Sequence, residues 1–142
     1  MILSHLPDGP TATFRVTSTK LRKSIINHGA VPTNTQPELI MNNFDTRLGH
    51  RIGRMLAALF PQIPNLKTRR VVTLHNQRDF VFIRHHRYEF NEDGSRANLA
   101  EVGPRFTLKL HSLQLGTLDK KKGEFEFIYK PKDGVNRKKF VL

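Results

Sequence analysis

The most informative segment for the architecture is residues 45–60, Asp45-Thr-Arg-Leu-Gly-His-Arg-Ile-Gly-Arg-Met-Leu-Ala-Ala-Leu-Phe60, followed by Pro61. Its apolar residues recur at the three- and four-residue spacing of an α-helix. Asp45 is placed to accept backbone N–H bonds as the N-cap, and Pro61 stops the helix. The stretch therefore predicts a long helix over residues 46–60.

The predicted helix has three faces at 3.6 residues per turn. The first is an apolar stripe that predicts packing against a sheet, formed by Leu48, Ile52, Met55, Leu56 and Leu59. The second is a basic stripe formed by Arg47, His50, Arg51 and Arg54. The third is a small-residue stripe formed by Gly49, Gly53 and Ala57. Each glycine costs a helix about 1 kcal/mol against alanine, so we expect another backbone, from protein or RNA, to approach this stripe.

Strands surround the helix. Residues 11–18 and 106–111 alternate between apolar and polar types, as half-buried strands do. Residues 69–76 and 79–90 predict two strands joined by a turn at Asn76-Gln77, and residues 39–41 a brief buried strand. Residues 124–129 predict a last strand, and residues 20–28 a short helix. The pattern favours an α+β fold: a mixed, mainly antiparallel sheet packed by one long helix and short helices.

Charge is the strongest compositional signal. The 142 residues include 24 Lys and Arg against 12 Asp and Glu, a formal net charge of +12. That excess is larger than the magnitude of about 2–8 that solubility requires of a small domain, so it predicts a polyanionic partner. The sequence contains no Cys and no apolar run long enough to span a membrane. It therefore predicts a soluble, intracellular single domain over residues 1–142.

Half of the excess charge lies within residues 45–90, where nine Lys and Arg face three acids. Such clustering is typical of phosphate binding. Besides the basic stripe of the helix, the candidates from the strand pair are Arg69, Arg70, Arg78 and Arg84. No aromatic-rich RNA-binding signature, GxxG loop or zinc-finger pattern is present, which favours recognition of the shape and backbone of structured RNA. A solvated basic face is the alternative interpretation.

Sites of other kinds have little support. The seven His residues lack metal-ligand spacing, and His85 and His86 point to opposite sides of a strand. No nucleophile elbow, P-loop or dinucleotide-binding motif occurs. We therefore predict no metal site, no cofactor, no catalytic residue and no small-molecule substrate, although a His/Lys nuclease remains an alternative.

Several strings together resemble the Brix-domain family. They are residues 5–11 (His5-Leu-Pro-Asp-Gly-Pro-Thr11), 42–56 (Asn42 to Leu56), 59–61 (Leu59-Phe-Pro61), 73–84 (Thr73 to Arg84), 101–110 (Glu101-Val-Gly-Pro-Arg-Phe-Thr-Leu-Lys-Leu110) and the ending 137–142. The Gly-Pro-Arg-Phe segment alone is enough to indicate the family. The resemblance covers nearly the whole chain, which starts near the middle of such a domain, so we expect residues 1–142 to be its C-terminal half.

The resemblance implies a fold similar to one half of a duplicated, anticodon-binding-like unit, and a non-enzymatic role in ribosome assembly. The implied partners are precursor ribosomal RNA, other assembly factors and ribosomal proteins of the large-subunit (pre-60S) precursor, and the implied location is the nucleus and nucleolus. It adds Arg105 and Lys109 to the RNA-binding candidates. Arg105 has an alternative role, fixing the turn through Glu101. A protein–protein scaffold, docking through the basic and small-residue faces of the helix, is the alternative function.

Overall fold

The computed structural model describes residues 1–30, 36–62, 69–118, 123–131 and 140–142. Within these ranges the chain forms eight strands, one α-helix and one short 3-10 helix. The strands are β1 (Ile2–Ser4), β2 (Thr11–Lys20), β3 (Glu38–Asn42), β4 (Arg70–Gln77), β5 (Phe80–Phe90), β6 (Ala97–Glu101), β7 (Arg105–Gln114) and β8 (Phe125–Ile128). The helix α1 (Arg47–Ala57) follows β3, and the 3-10 helix spans Arg22–Ser24.

The strands form one mixed sheet in the order β1-β2-β7-β5-β4-β3, with β6 beside β5 and β8 beside β7. Every described pairing is antiparallel except that of β3 with β4. Strands β3 and β4 are parallel because the connection through α1 brings the chain back to the end of the sheet at which β3 begins. The predicted α+β class with a mainly antiparallel sheet is therefore confirmed.

The core lies between α1 and one face of the sheet. Ile52 and Leu56 of the helix are almost completely buried. They belong to one apolar cluster with alternate residues of the central strands, including Leu74, Val81 and Leu108. Because side chains alternate across a strand, the residues between these positions lie on the opposite face of the sheet.

The helix is shorter than the sequence predicts, with 11 residues instead of a span over 46–60. Its N-cap is Thr46, whose hydroxyl accepts a hydrogen bond from the Gly49 N–H, and Asp45 does not cap it. Before Pro61 the chain makes tighter turns, in which the N–H groups of Leu59 and Phe60 bond to carbonyls three residues earlier. The prediction of one long helix was therefore wrong, although its position was right.

Other elements also differ from prediction. The expected helix over 20–28 is reduced to the 3-10 turn at Arg22–Ser24. The strand at 39–41 exists but lies at the sheet edge, where Ile40 and Met41 are 45% and 44% exposed. The β4–β5 turn uses Arg78 and Asp79, with φ values of 53° and 65°, instead of Asn76-Gln77. Strands β1 and β6 were missed because each lies in a segment with several turn-forming or polar residues.

Some predictions fall on residues outside the described ranges. The sequence also predicts a charged turn over residues 119–123 and a basic tail with Arg137, Lys138 and Lys139, and all of these residues except Gly123 lie outside the described ranges. The predicted loops over 29–37 and 61–68 are described only in part.

Candidate nucleic-acid interface

The outer side of α1 carries three of the predicted RNA-binding side chains. Arg47, His50 and Arg54 are exposed and follow one another at the spacing of successive helical turns. None of the three forms an ion pair with another residue in the described ranges. We call these three residues the helix ridge. It is a row of basic side chains that face solvent.

Arg51, the fourth residue of the predicted stripe, is placed differently. Its guanidinium lies 2.8 Å from the carboxylate of Glu126 on β8, and its side chain is 38% exposed. The ion pair ties α1 to the last described strand. A phosphate would have to compete with Glu126 for this guanidinium, so Arg51 is less available than its neighbours on the ridge.

The small-residue stripe of α1 is covered by the chain itself. Gly49 and Gly53 are buried, and a Cβ atom built at Gly49 would lie 2.8 Å from the carbonyl carbon of Leu142. At Gly53 the nearest atoms belong to the Phe44 ring, at 3.6 Å. The close approach of a backbone at Gly49 is thus confirmed. The approaching backbone belongs to the chain itself, so the Gly49 side of the stripe is not free to receive a protein partner or RNA.

Three polar side chains hold the segment that covers Gly49. The Thr46 hydroxyl donates to the Val141 carbonyl at 2.6 Å, and the Asn76 amide donates to the Leu142 carbonyl at 3.0 Å. The Asp79 carboxylate accepts bonds from the N–H groups of Val141 and Leu142, at 2.7 and 2.9 Å. The Leu142 side chain, 3% exposed, belongs to the core cluster. This end of α1 is therefore fixed by residues from distant parts of the sequence.

The second candidate surface is the face of the sheet opposite α1. Strand register aligns Arg15, Lys109 and Phe80 in one row across β2, β7 and β5. The next row contains Thr17, Thr107 and Phe82. These positions alternate with the buried core positions of the same strands. We call the surface formed by Arg15, Phe80, Phe82, Arg84 and Lys109 the open sheet face.

Cations and aromatic rings are interleaved on the open sheet face. The Lys109 ammonium lies 5.0 Å from the centre of the Phe80 ring and 4.3 Å from that of Tyr129, and it donates to the Tyr129 hydroxyl at 3.3 Å. The Arg84 guanidinium lies 5.4 Å from the centre of the Phe82 ring. These distances are within the range of cation–π attraction. Both cations were predicted from the sequence, but the rings were not.

Arg84 is also bonded to the sheet. Its Nη1 donates to the carbonyls of Ile83 and Phe106, at 2.8 and 3.2 Å. Burial, followed by the nearby charge of Arg105, lowers the pKa of the Arg84 guanidinium from its ordinary value, while Glu101 acts in the opposite direction. An arginine retains its charge under such shifts. Arg84 is thus a fixed, partly buried cation, unlike the solvent-facing groups of the helix ridge.

Arg105 forms the ion pair with Glu101 that the sequence suggested as its alternative, structural role. Its Nη1 lies 3.1 Å from the Glu101 carboxylate, four residues earlier, across the Gly103-Pro104 turn. Gly103 has a φ of 70° and a Cβ there would lie 2.5 Å from the side chain of Ile25, so glycine is required at this position. The Gly-Pro-Arg-Phe segment therefore owes at least part of its composition to the turn.

The remaining candidates do not join either surface. Arg69 and Arg70 lie at the start of β4, and Arg78 lies in the turn after its end. Arg70 and Arg78 are eight positions apart along the chain, or about 26 Å at 3.3 Å per residue. Arg70 lies beside Arg87 of β5, on the same side of the sheet as α1. The ten predicted residues therefore lie in three places. Four are on α1, three are on or beside the open sheet face (Arg84, Arg105 and Lys109), and three are at the two ends of β4.

Sequence reasoning missed Arg15, Phe80, Phe82 and Tyr129 as site residues. Phe80 and Phe82 were interpreted only as apolar residues of a central strand. The alternation of β2 and β7 already placed Arg15 and Lys109 on the polar sides of their strands. Only the strand order, in which β7 lies between β2 and β5, brings the rings beside those cations.

The described ranges contain no group of three or more His, Asp or Glu side chains that could hold a metal ion. None of their helices is long and apolar enough to cross a membrane.

The chain is similar to known proteins over its full length. A family model described as Brix domain matches residues 1–112. Ribosome production factor 1 of Mus musculus is 54% identical over 143 residues, which cover 100% of this chain and 41% of the mouse protein. Ribosome production factor 1 of Saccharomyces cerevisiae is 49% identical over 138 residues, covering 97% of this chain and 45% of the yeast protein. The chain thus spans about two fifths of the length of the curated relatives it matches.

Proposed function

Because this chain belongs to the Brix-domain family, we propose that it acts as a non-enzymatic ribosome-biogenesis factor that binds precursor ribosomal RNA during assembly of the large (60S) subunit. The relatives named ribosome production factor 1 support the first part of this proposal. The charge and geometry of the chain support the second.

The observation that carries the RNA-binding proposal is the helix ridge. Arg47, His50 and Arg54 face solvent without an acidic partner in the described ranges, in a chain whose formal net charge is +12. Side chains on successive turns of a helix are about 5–6 Å apart. Such a row suits neighbouring phosphates along a folded RNA strand. Each contact between a cation and a phosphate favours binding because it releases bound counterions.

The proposed mode of recognition at the helix ridge is by shape and backbone. Arg47 and Arg54 present planar forks of donors that match phosphate oxygens. Phosphate contacts position a protein without reading sequence. We therefore assign the helix ridge to structured RNA, with affinity that depends strongly on salt.

Membership of the Brix-domain family also supports proposals about the domain, the cellular location and the partners of the chain. We propose that residues 1–142 form the C-terminal half of a Brix domain. We propose further that the chain works in the nucleus and nucleolus, alongside other assembly factors and ribosomal proteins of the pre-60S particle. The role proposed for it is binding, without a catalytic step.

The test is fluorescence anisotropy with a structured fragment of large-subunit precursor RNA, measured over a salt series. The Arg47→Ala/Arg54→Ala variant should bind more weakly, with a log–log salt slope shallower by about 1.8, since each lost phosphate contact contributes about 0.9. The matched control is Lys23→Ala/Arg96→Ala, which removes the same charge at two exposed positions away from α1. Equal slopes for the two variants would contradict the assignment of the helix ridge.

A protein-docking role is the second candidate function, and one observation favours it. Phe90 and Leu99, on the β5–β6 hairpin, are each 64% exposed. Large apolar side chains grouped on a surface often mark contacts between proteins. The Phe90→Ser/Leu99→Ser variant should retain RNA binding and lose association with any assembly factor that docks there, which co-purification from cells expressing each variant would measure.

A further inference from the structure

The open sheet face carries features that phosphate binding by the helix ridge does not explain. Phe80 and Phe82 lie two residues apart on β5 and therefore point to the same side, about 7 Å from each other along the strand. Both rings are partly exposed. A surface used only for phosphate contacts has no need of aromatic rings.

Cations lie beside both rings. Lys109 lies between Phe80 and Tyr129, and Arg84 lies over Phe82. Arg15 is paired with Lys109 in the same row of the sheet. Proteins that bind unpaired nucleic acid combine aromatic rings, on which bases stack, with positive charges along the phosphate backbone.

Two acids on strands of the same sheet, Glu101 and Glu38, have partners. Glu101 is bonded to Arg105, and Glu38 accepts a hydrogen bond from the Tyr88 hydroxyl at 3.2 Å. The Arg105 guanidinium partly offsets the charge of Glu101, whereas the neutral Tyr88 hydroxyl only hydrogen-bonds to Glu38. The rows that contain Phe80 and Phe82 hold no carboxylate in the described strands. The charge of the open sheet face therefore complements a polyanion.

We propose that the open sheet face binds unpaired RNA, with bases stacked on Phe80 and Phe82 and with Lys109, Arg84 and Arg15 beside the phosphates. The proposal rests on the RNA-binding function and names a second type of contact within it. The helix ridge binds the backbone of folded RNA, while the open sheet face binds single-stranded segments. The two surfaces lie on opposite sides of the sheet, so one chain is able to hold a helix of RNA and an adjoining unpaired strand.

The probe is a short oligouridylate that carries one central 2-aminopurine, compared with a fully paired RNA of the same length. Binding of the wild-type chain should change the 2-aminopurine fluorescence, because the base leaves water and stacks on a ring. Phe82→Leu should weaken binding of the oligouridylate about tenfold, as expected for loss of one stacking contact. It should leave the salt slope and the affinity for paired RNA unchanged.

Phe82→Tyr is the conservative variant, which keeps a ring at the same place and should bind the oligouridylate as the wild type does. Far-ultraviolet circular dichroism and thermal unfolding of each variant check that the sheet is intact. The fluorescence change of the wild type does not depend on any variant, so the inference stays testable even if Phe82→Leu fails to fold.

The outcomes separate this inference from the function on which it rests. If the chain binds structured RNA but neither binds the oligouridylate nor changes the 2-aminopurine signal, the open sheet face is not a stacking surface and the helix ridge still stands. An equal loss of paired and unpaired RNA by Phe82→Leu would likewise overturn the inference, since stacking predicts a selective loss. Absence of binding to every RNA would overturn both.

Discussion

The carbonyl carbon of Leu142 lies 2.8 Å from the point at which a Cβ atom of Gly49 would stand. This contact explains why a helix tolerates a glycine near its start. The backbone of residues 141–142 packs directly on α1, where Thr46, Asn76 and Asp79 bond it in place. The conformational cost of Gly49 is thus offset by packing that a larger residue would prevent.

Replacing Gly49 by alanine should destabilise the chain. The added methyl group would meet backbone, which has little freedom to move, and overpacking of this kind costs about 1–3 kcal/mol. The free energy of unfolding in urea measures the effect. Gly53→Ala is the matched control. Its Cβ would make an ordinary contact of 3.6 Å with the Phe44 ring, so the gain in helix propensity should leave it unchanged or up to about 1 kcal/mol more stable. Equal destabilisation by both variants would contradict the role of Leu142.

Asp79 should stabilise the fold through the same segment. Its Oδ1 accepts two backbone N–H bonds, and hydrogen bonds to a charged group contribute about 1.5–3 kcal/mol. Asp79→Gly removes the carboxylate without straining the positive φ, so unfolding in urea should show a loss near the lower end of that range. The neighbouring Arg78→Gly relieves the same type of backbone strain without removing a bond to the segment, and it should not destabilise. A stable Asp79→Gly variant would show that these bonds contribute nothing.

The sequence predicted most elements of the fold because their signals are local. The apolar period of residues 48–56 and the alternation of β2 and β7 depend only on neighbouring positions, and both were right. The predicted ends of the helix were wrong because they depend on details that the sequence pattern does not show. Thr46 caps the start through its hydroxyl, and the chain makes tighter turns after Ala57. The β4–β5 turn was misplaced because Arg rarely adopts a positive φ and because bonds to distant residues hold Asp79 in place, which the local sequence does not show.

The candidate site was predictable only in part, for a related reason. The Arg105–Glu101 pair was anticipated because its residues are four apart in sequence. The pairing of Arg51 with Glu126, and the rings beside Lys109, join residues that meet only through the strand order. The composition gives the number of cations. It does not show which of them lie on the helix ridge and which on the open sheet face, because their positions depend on which side of the sheet α1 covers.

The stability of the chain should fall as the solution is acidified through the titration of His85. Burial lowers the pKa of the His85 imidazole below its ordinary value of about 6.5, its hydrogen bond with the Gly103 carbonyl raises it, and the charges of Arg70, His86 and Arg22 lower it. The unfolded chain therefore binds a proton at a higher pH than the folded chain does. The contribution to stability is complete above about pH 6.5 and is lost as pH falls towards the folded pKa.

The measurement is the free energy of unfolding in urea at several pH values from about 7.5 to 5. His85→Gln removes the titration and should show a smaller loss of stability on acidification than the wild type. Parallel curves for the two proteins would mean that His85 does not contribute to acid sensitivity.

Arg51 and Arg54 should differ in RNA binding although they are three residues apart on one helix. Arg54 is exposed and has no ion-pair partner in the described ranges, while Arg51 is held by Glu126 at 2.8 Å. Arg54→Ala should make the salt slope for structured RNA shallower by about 0.9. Arg51→Ala should change it less, because the arginine already neutralises a carboxylate. Glu126→Gln should then strengthen RNA binding, since it releases the Arg51 guanidinium for a phosphate. If Arg51→Ala instead makes the slope as shallow as Arg54→Ala does, RNA displaces Glu126 from Arg51. All four residues of the predicted basic stripe would then contact RNA.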